Sequence, residues 1–264
     1  MSKSDKHNHH YLPRFYLKQW ANEKNKVWVY ALHISDGNRL LNPSPLHIKD
    51  VCSEDYLYSI GDNTSIEDWA DTNIENHCAP VFKKIVGREP LNSDDISYTK
   101  SFLALTMARH PLMKESSKII FNSIPQDVEP LNPLAQTVRL RMKVNLQELN
   151  QFNLQILYIP DEIDAFFITS DVPFFIIWGT VKEMLGDIEI NRPTFTSAWF
   201  PISPKTLAFL SKVAMPLVYE KITDASRIKK INAELALCAK DILIANKSNI
   251  FEKYPNFTNH KQSG

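Results

Sequence analysis

The sequence predicts an α+β fold: a mostly antiparallel sheet built from both chain ends, with a helical block inserted at about residues 64–149. Three observations predict it. Segments of β-type alternation lie near the start of the chain and return after residue 152. Helical periodicity fills the stretch between them. The most apolar stretch, Ala165–Trp178, is broken only by Thr169-Ser170-Asp171-Val172-Pro173, so it reads as two buried strands around a polar turn.

Pro13 suits the first turn of a short helix, and Phe15, Tyr16 and Trp20 anchor the N-terminus. Lys26–Leu32 alternates and is rich in β formers, so a strand is expected, followed by a turn at Ser35–Asn38. Arg39–Lys49, with Pro43 and Pro45, reads as an irregular return, and Tyr56–Ile60 as a second strand. Thr64-Ser65-Ile66-Glu67 opens a helix with a hydroxyl cap and an acid in the first turn. Its apolar positions run from Ile66 to Ile85, and Gly87 ends it. Ser93-Asp94-Asp95 caps the next helix, which Arg109-His110-Pro111 interrupts before it continues to about Phe121. Ser123–Pro133 is a linker, and a third helix covers about Leu134–Leu149. A strand at Phe152–Ile159, the two central strands, a polar loop at Thr180–Arg192 and a hairpin at Ser197–Leu210 follow. Asp224 caps a helix to Ala239, and Asp241–Ala245 is the last strand. One domain over residues 1–247 and a flexible tail over 248–264 are expected.

Composition narrows the function classes. Thirty basic residues balance thirty acidic ones, so no global field draws the chain to nucleic acid or to an anionic membrane. No apolar run approaches a membrane span, and the N-terminus lacks the apolar core of a signal peptide. The three cysteines are far apart and form no Cys-x-x-Cys, which fits reduced thiols in a cytoplasmic protein. Only six glycines are present, with neither a Gly-x-Gly-x-x-Gly nor a Gly-Lys-Ser/Thr loop, which argues against dinucleotide and P-loop sites.

His10-Tyr-Leu-Pro-Arg-Phe-Tyr-Leu-Lys18, the helix bearing Glu67 and Glu75, Arg109-His-Pro111, Ile168-Thr-Ser-Asp-Val-Pro173, Pro201-Ile-Ser-Pro204, and Asn232 with Ala239 form an ordered set. In that order the chain resembles the bacterial domain-of-unknown-function family 4238 over nearly its whole length. The resemblance implies a bacterial soluble protein and marks positions, but it implies no activity or cofactor.

Two chemistries suit these positions. Glu67, Asp71 and Glu75 recur every four residues and so share a helix face roughly. With Asp171, Glu67 and Glu75 make an oxygen ligand set for Mg²⁺ or Mn²⁺. Adding His10 as base, Arg109 as a bidentate clamp, and Arg14 and Ser170 as substrate contacts gives a metal-dependent phosphodiester hydrolase acting on nucleic acid. The alternative is a non-catalytic binding or regulatory module, whose polar cluster is structural or receives a small anion. The hydrolase requires the acids, His10 and Arg109 in one cleft. The module predicts dispersed acids and a closed Arg109–Asp171 ion pair. Ser170 lacks a Gly-x-Ser-x-Gly elbow, and His77 and His110 lack zinc-ligand spacing.

Overall fold

The computed structural model describes residues 8–32, 43–55, 69–110, 133–185, 188–215 and 218–253. The expected turn at Ser35, strand at Tyr56–Ile60, helix start at Thr64–Glu67, break at Pro111 and linker after Ser123 lie outside those residues, as does the tail beyond Lys253. Among the described residues no helix is long and apolar enough to cross a membrane.

The fold is α+β, with the strands divided between two main sheets rather than gathered in one. The first draws on both chain ends. It comprises β2 (Lys26–Ala31), β3 (Ser44–His47), β6 (Thr169–Ser170) and β11 (Ile242–Ala245), all antiparallel in the order β3-β2-β11-β6. The second belongs to the C-terminal half: β5 (Asn153–Tyr158), β7 (Phe175–Leu185), β8 (Ile188–Ser203), β9 (Thr206–Ser211) and β10 (Tyr219–Lys221). Its order is β10-β5-β9-β8-β7, with only the β10–β5 pair parallel. A separate two-stranded pair joins β1 (Asn8–His10) to β4 (Ser53–Asp55) and sets His10 opposite Ser53.

Helices α1 (Arg14–Leu17), α2 (Asn76–Gly87), α3 (Ser93–Arg109) and α4 (Pro133–Leu149) precede the second sheet, and α5 (Ala225–Cys238) closes the chain order before β11. A π-turn, Asp71–Glu75, leads into α2. The start of α3 is a capping box. Asn92 Oδ1 accepts from Asp95 N at 2.8 Å, and Asp95 Oδ2 accepts from Asn92 N at 3.0 Å, so two otherwise orphaned N–H groups are satisfied. Tyr16 packs on Trp20, Phe102 and Phe200 at ring centroids 4.9, 5.9 and 5.5 Å apart, and Phe82 meets Phe102 at 5.0 Å. That aromatic centre ties α1, α2 and α3 to β8. It explains why so short a helix as α1 is stable, since its geometry is imposed by packing rather than by propensity.

Four local expectations are corrected. Ser44–His47 is a strand despite Pro45. It lies on a sheet edge, where the N–H that proline lacks is not needed by a further strand. Residues 180–192 are not a polar loop but the continuation of β7 and β8, paired from Trp178↔Phe195 to Leu185↔Ile188. At its base a register shift falls between Ile177 and Trp178, and Thr196 Oγ1 donates to Ile177 O at 2.9 Å. Gly179 is required there, because a Cβ would come within 2.6 Å of Thr196 Cγ2. Of the strand expected before the polar turn, only Thr169–Ser170 pairs in a sheet. Lastly, Ser248–Lys253 is a 3-10 helix whose Ile250 and Phe251 are buried, so the packed chain continues past residue 247.

Candidate functional site

The polar turn after β6 is held by bonds to distant elements. Tyr16 Oη donates to Pro201 O at 2.9 Å and lies 2.6 Å from Thr169 Oγ1. A phenol has one proton, so Thr169 is the donor in the second bond. Ser170 Oγ donates to Val172 O at 2.7 Å and accepts from Val172 N at 3.1 Å, closing the turn on itself. Asp171 is fully buried, its Oδ1 accepting from Lys240 N at 2.9 Å and its Oδ2 from Asp241 N at 2.7 Å. One side chain thereby fixes the junction between α5 and β11. Upstream, Asn232 on α5 acts similarly. Its Oδ1 accepts from Ile168 N at 3.1 Å and its Nδ2 donates to Phe166 O at 2.8 Å, replacing the strand partner that this stretch lacks.

Burial pushes the Asp171 carboxyl up to about 6, while the N–H groups of Asp241 and Lys240 pull the other way. Tyr11 and Cys52 stand beside it, and Tyr11 N donates to Cys52 O at 3.0 Å. Burial raises both acids well above their ordinary values; Cys52 and Asp171 add to the effect on Tyr11, and Asp171 to that on Cys52. The Cys52 thiol is thus held protonated, the opposite of an activated nucleophile. Its backbone has φ 55°, a left-handed conformation that costs about 1–2 kcal/mol in a non-glycine residue.

The second part of the site lies where the π-turn meets the end of α3. Arg109 Nη1 donates to Glu75 Oε1 at 2.6 Å, and the two side chains are 1% and 13% exposed. The next residue, His110, is buried edge-on against Phe174 at 5.2 Å, which links this pair to the turn of Asp171. Burial pushes the His110 imidazole down to about 4, and Arg141 on α4 adds to the shift. His110 Nδ1 has no hydrogen-bond partner among the described residues.

The structure thus brings Glu75 to Arg109 and sets the Asp171 turn against their neighbour. The Arg109–Asp171 ion pair expected of a binding module is not formed; Arg109 takes Glu75, and Asp171 takes main-chain N–H groups. Asp71 opens the π-turn and is exposed, and Glu75 closes it and is half-buried. Glu67 lies outside the described residues. Among those described, no three His, Cys, Asp or Glu side chains converge as a metal-ligand group. Arg14 is exposed on the first residue of α1, and His10 is half-buried at the end of β1. His77 stacks on Tyr98 at 4.7 Å, and Arg139 lies over Trp69 at 5.4 Å. Tyr11 and Cys52 escaped the sequence reading. Tyr11 stands next to His10 in the opening motif, but nothing in the sequence marks Cys52.

The model of a protein family of unknown function, DUF4238, matches residues 8–249. No curated protein and no protein of solved structure matches the chain.

Proposed function

We propose, from the premise that this chain belongs to the DUF4238 family, that it is a non-catalytic binding module for a small anionic ligand, with a structural polar centre. One observation carries the reading. Both oxygens of Asp171 already accept main-chain N–H groups in a fully buried turn, so this carboxylate has a structural task that accounts for its burial. The neighbouring hydroxyls of Ser170 and Thr169 are likewise engaged by the protein itself.

A second reading, the Mg²⁺- or Mn²⁺-dependent phosphodiester hydrolase with nucleic acid as partner, keeps one supporting observation. Glu75 is the last residue of a π-turn, a feature frequent at functional sites, and it bonds a buried arginine. In that reading Glu75 and Asp171 remain the described ligands, with His10, Arg109, Arg14 and Ser170 around the substrate. Calorimetric titration with Mn²⁺, alone and with short DNA and RNA oligonucleotides, separates the two. The binding reading expects no metal-dependent cleavage, and the same behaviour from wild type and Glu75→Gln/Asp171→Asn. Cleavage lost in the double variant would establish the hydrolase instead.

A further inference from the structure

Residues that follow α1 and β11, together with α2, β5, Phe166 and the β8–β9 turn, line a cavity of about 430 Å³. That volume lies in the range of small-molecule sites. Its wall contains a polar atom that the described residues do not satisfy: Asn246 Oδ1 is buried and has no hydrogen-bond partner among them. Such an atom is costly unless something donates to it. Two cations line the same space. The Arg88 guanidinium lies over the Tyr158 ring at 5.1 Å and makes no hydrogen bond among the described residues, so the fork is oriented with its donors unspent. Lys205 Nζ donates to Ile163 O at 2.5 Å and Pro160 O at 3.4 Å, leaving its third proton available, and it rests over Phe166 at 4.3 Å. Burial lowers the Lys205 pKa, while the nearby carboxylates of Asp161, Asp164 and Glu162 oppose the shift. Asp161 also lines the cavity, and its carboxylate disfavours an anion that has no donor of its own.

We propose that this cavity binds a small polyhydroxylated oxyanion, a sugar phosphate or a sugar acid. The oxyanion takes Arg88 and the free proton of Lys205, while hydroxyl groups donate to Asn246 Oδ1 and to Asp161. An uncharged sugar lacks the first half of this recognition and inorganic phosphate lacks the second. The inference gives the binding reading a place and a ligand class, yet it concerns residues outside the Asp171–Glu75–Arg109 region. Oligonucleotide cleavage would therefore overturn that reading without touching this one.

The test is calorimetric titration of the full chain with glucose 6-phosphate, gluconate, glucose and inorganic phosphate. Glucose 6-phosphate or gluconate should bind with a Kd of about 1 mM or tighter, and whichever is tighter names the source of the oxyanion. Glucose and phosphate should be at least about tenfold weaker. Arg88→Ala, at an exposed side chain, and Asn246→Leu should each weaken binding about tenfold or more. Asn246→Leu should in addition raise the melting temperature of the unliganded protein, because it removes the unsatisfied acceptor, and this readout does not depend on the probes. No saturable binding of either probe overturns the proposal. So does phosphate binding as tightly as glucose 6-phosphate, or undiminished binding by both variants.

Discussion

Asp171→Asn should reveal a dependence of stability on pH that the wild-type protein conceals. Asp171 titrates at about 6 when folded against an ordinary 3.8, so between these values the folded state holds a proton that the unfolded state has lost. Its contribution to stability is fully present below pH 3.8 and is lost as pH rises through about 6, a change of about 3 kcal/mol. His110 has the opposite sign. Its folded value of about 4 lies below the ordinary 6.5, so stability is lost as pH falls from 6.5 towards 4, again by about 3 kcal/mol. The two windows overlap, and in the wild type the two slopes largely cancel. Urea unfolding at several pH values between 4 and 7 reads this directly. Asp171→Asn should be less stable than wild type at pH 4 by about 1–3 kcal/mol, since one main-chain N–H loses its acceptor. It should then gain on wild type by about 3 kcal/mol as pH approaches 7. His110→Gln should diverge from wild type in the other direction. Differences from wild type that stay constant with pH in both variants would refute the assignment of these two groups as the opposing titrations.

Further outcomes follow from the same contacts. Glu75→Gln removes the carboxylate beside the buried Arg109 guanidinium and should cost about 3–5 kcal/mol in chemical unfolding. Lys212→Ala, at the exposed pair with Glu148, should cost no more than about 1 kcal/mol, and equal losses at the two sites would contradict the burial argument. Tyr16→Phe should lower stability by about 1–3 kcal/mol, because Pro201 O and Thr169 Oγ1 lose their shared partner inside the core; an unchanged urea midpoint would mean that a water replaces the phenol. Asp95 is held below its ordinary value by Asn92 N first and Lys84 second, so its contribution is present above the ordinary carboxylate pKa and lost as pH falls through the folded one. Asp95→Asn should flatten the acid limb of the stability curve.

The fold class was legible because periodicity is a local signal. The α5 cap at Asp224 and the alternation of β2 are written within a few residues of each element, and the α3 cap falls at Asn92, one residue before the expected Ser93. The division into two sheets was not, because it depends on which strands pair across the chain. β6 and β11 meet across some seventy residues through two paired positions. Turn-like residues hid the extension of β7 and β8, whose pairing partner is each other rather than the core. At the site, the sequence picked Glu75, Arg109 and Asp171 as polar groups that border apolar runs. It misjudged their partners, since main-chain N–H groups such as those of Lys240 and Asp241 carry no residue-type signature. Nor does the Ser-Asp-x-Pro turn show that the backbone Asp171 holds lies at the far end of α5.

The long β7–β8 pair is, in energetic terms, two objects. From Ser197 to Ser203, β8 is covered by β9, and that part opens only when the sheet opens. From Trp178 to Leu185 and back to Phe195, each strand has, among the described residues, only the other for main-chain bonding within the sheet. A two-stranded ribbon is marginal in water by itself. Its amides should therefore exchange with solvent through a local opening far cheaper than global unfolding, with protection falling abruptly beyond Ile177. Trp178, 62% exposed against Phe195, sits at that boundary and is a built-in fluorescent reporter of the opening. That opening would be a sub-global unit whose equilibrium can be measured while the rest of the chain stays native.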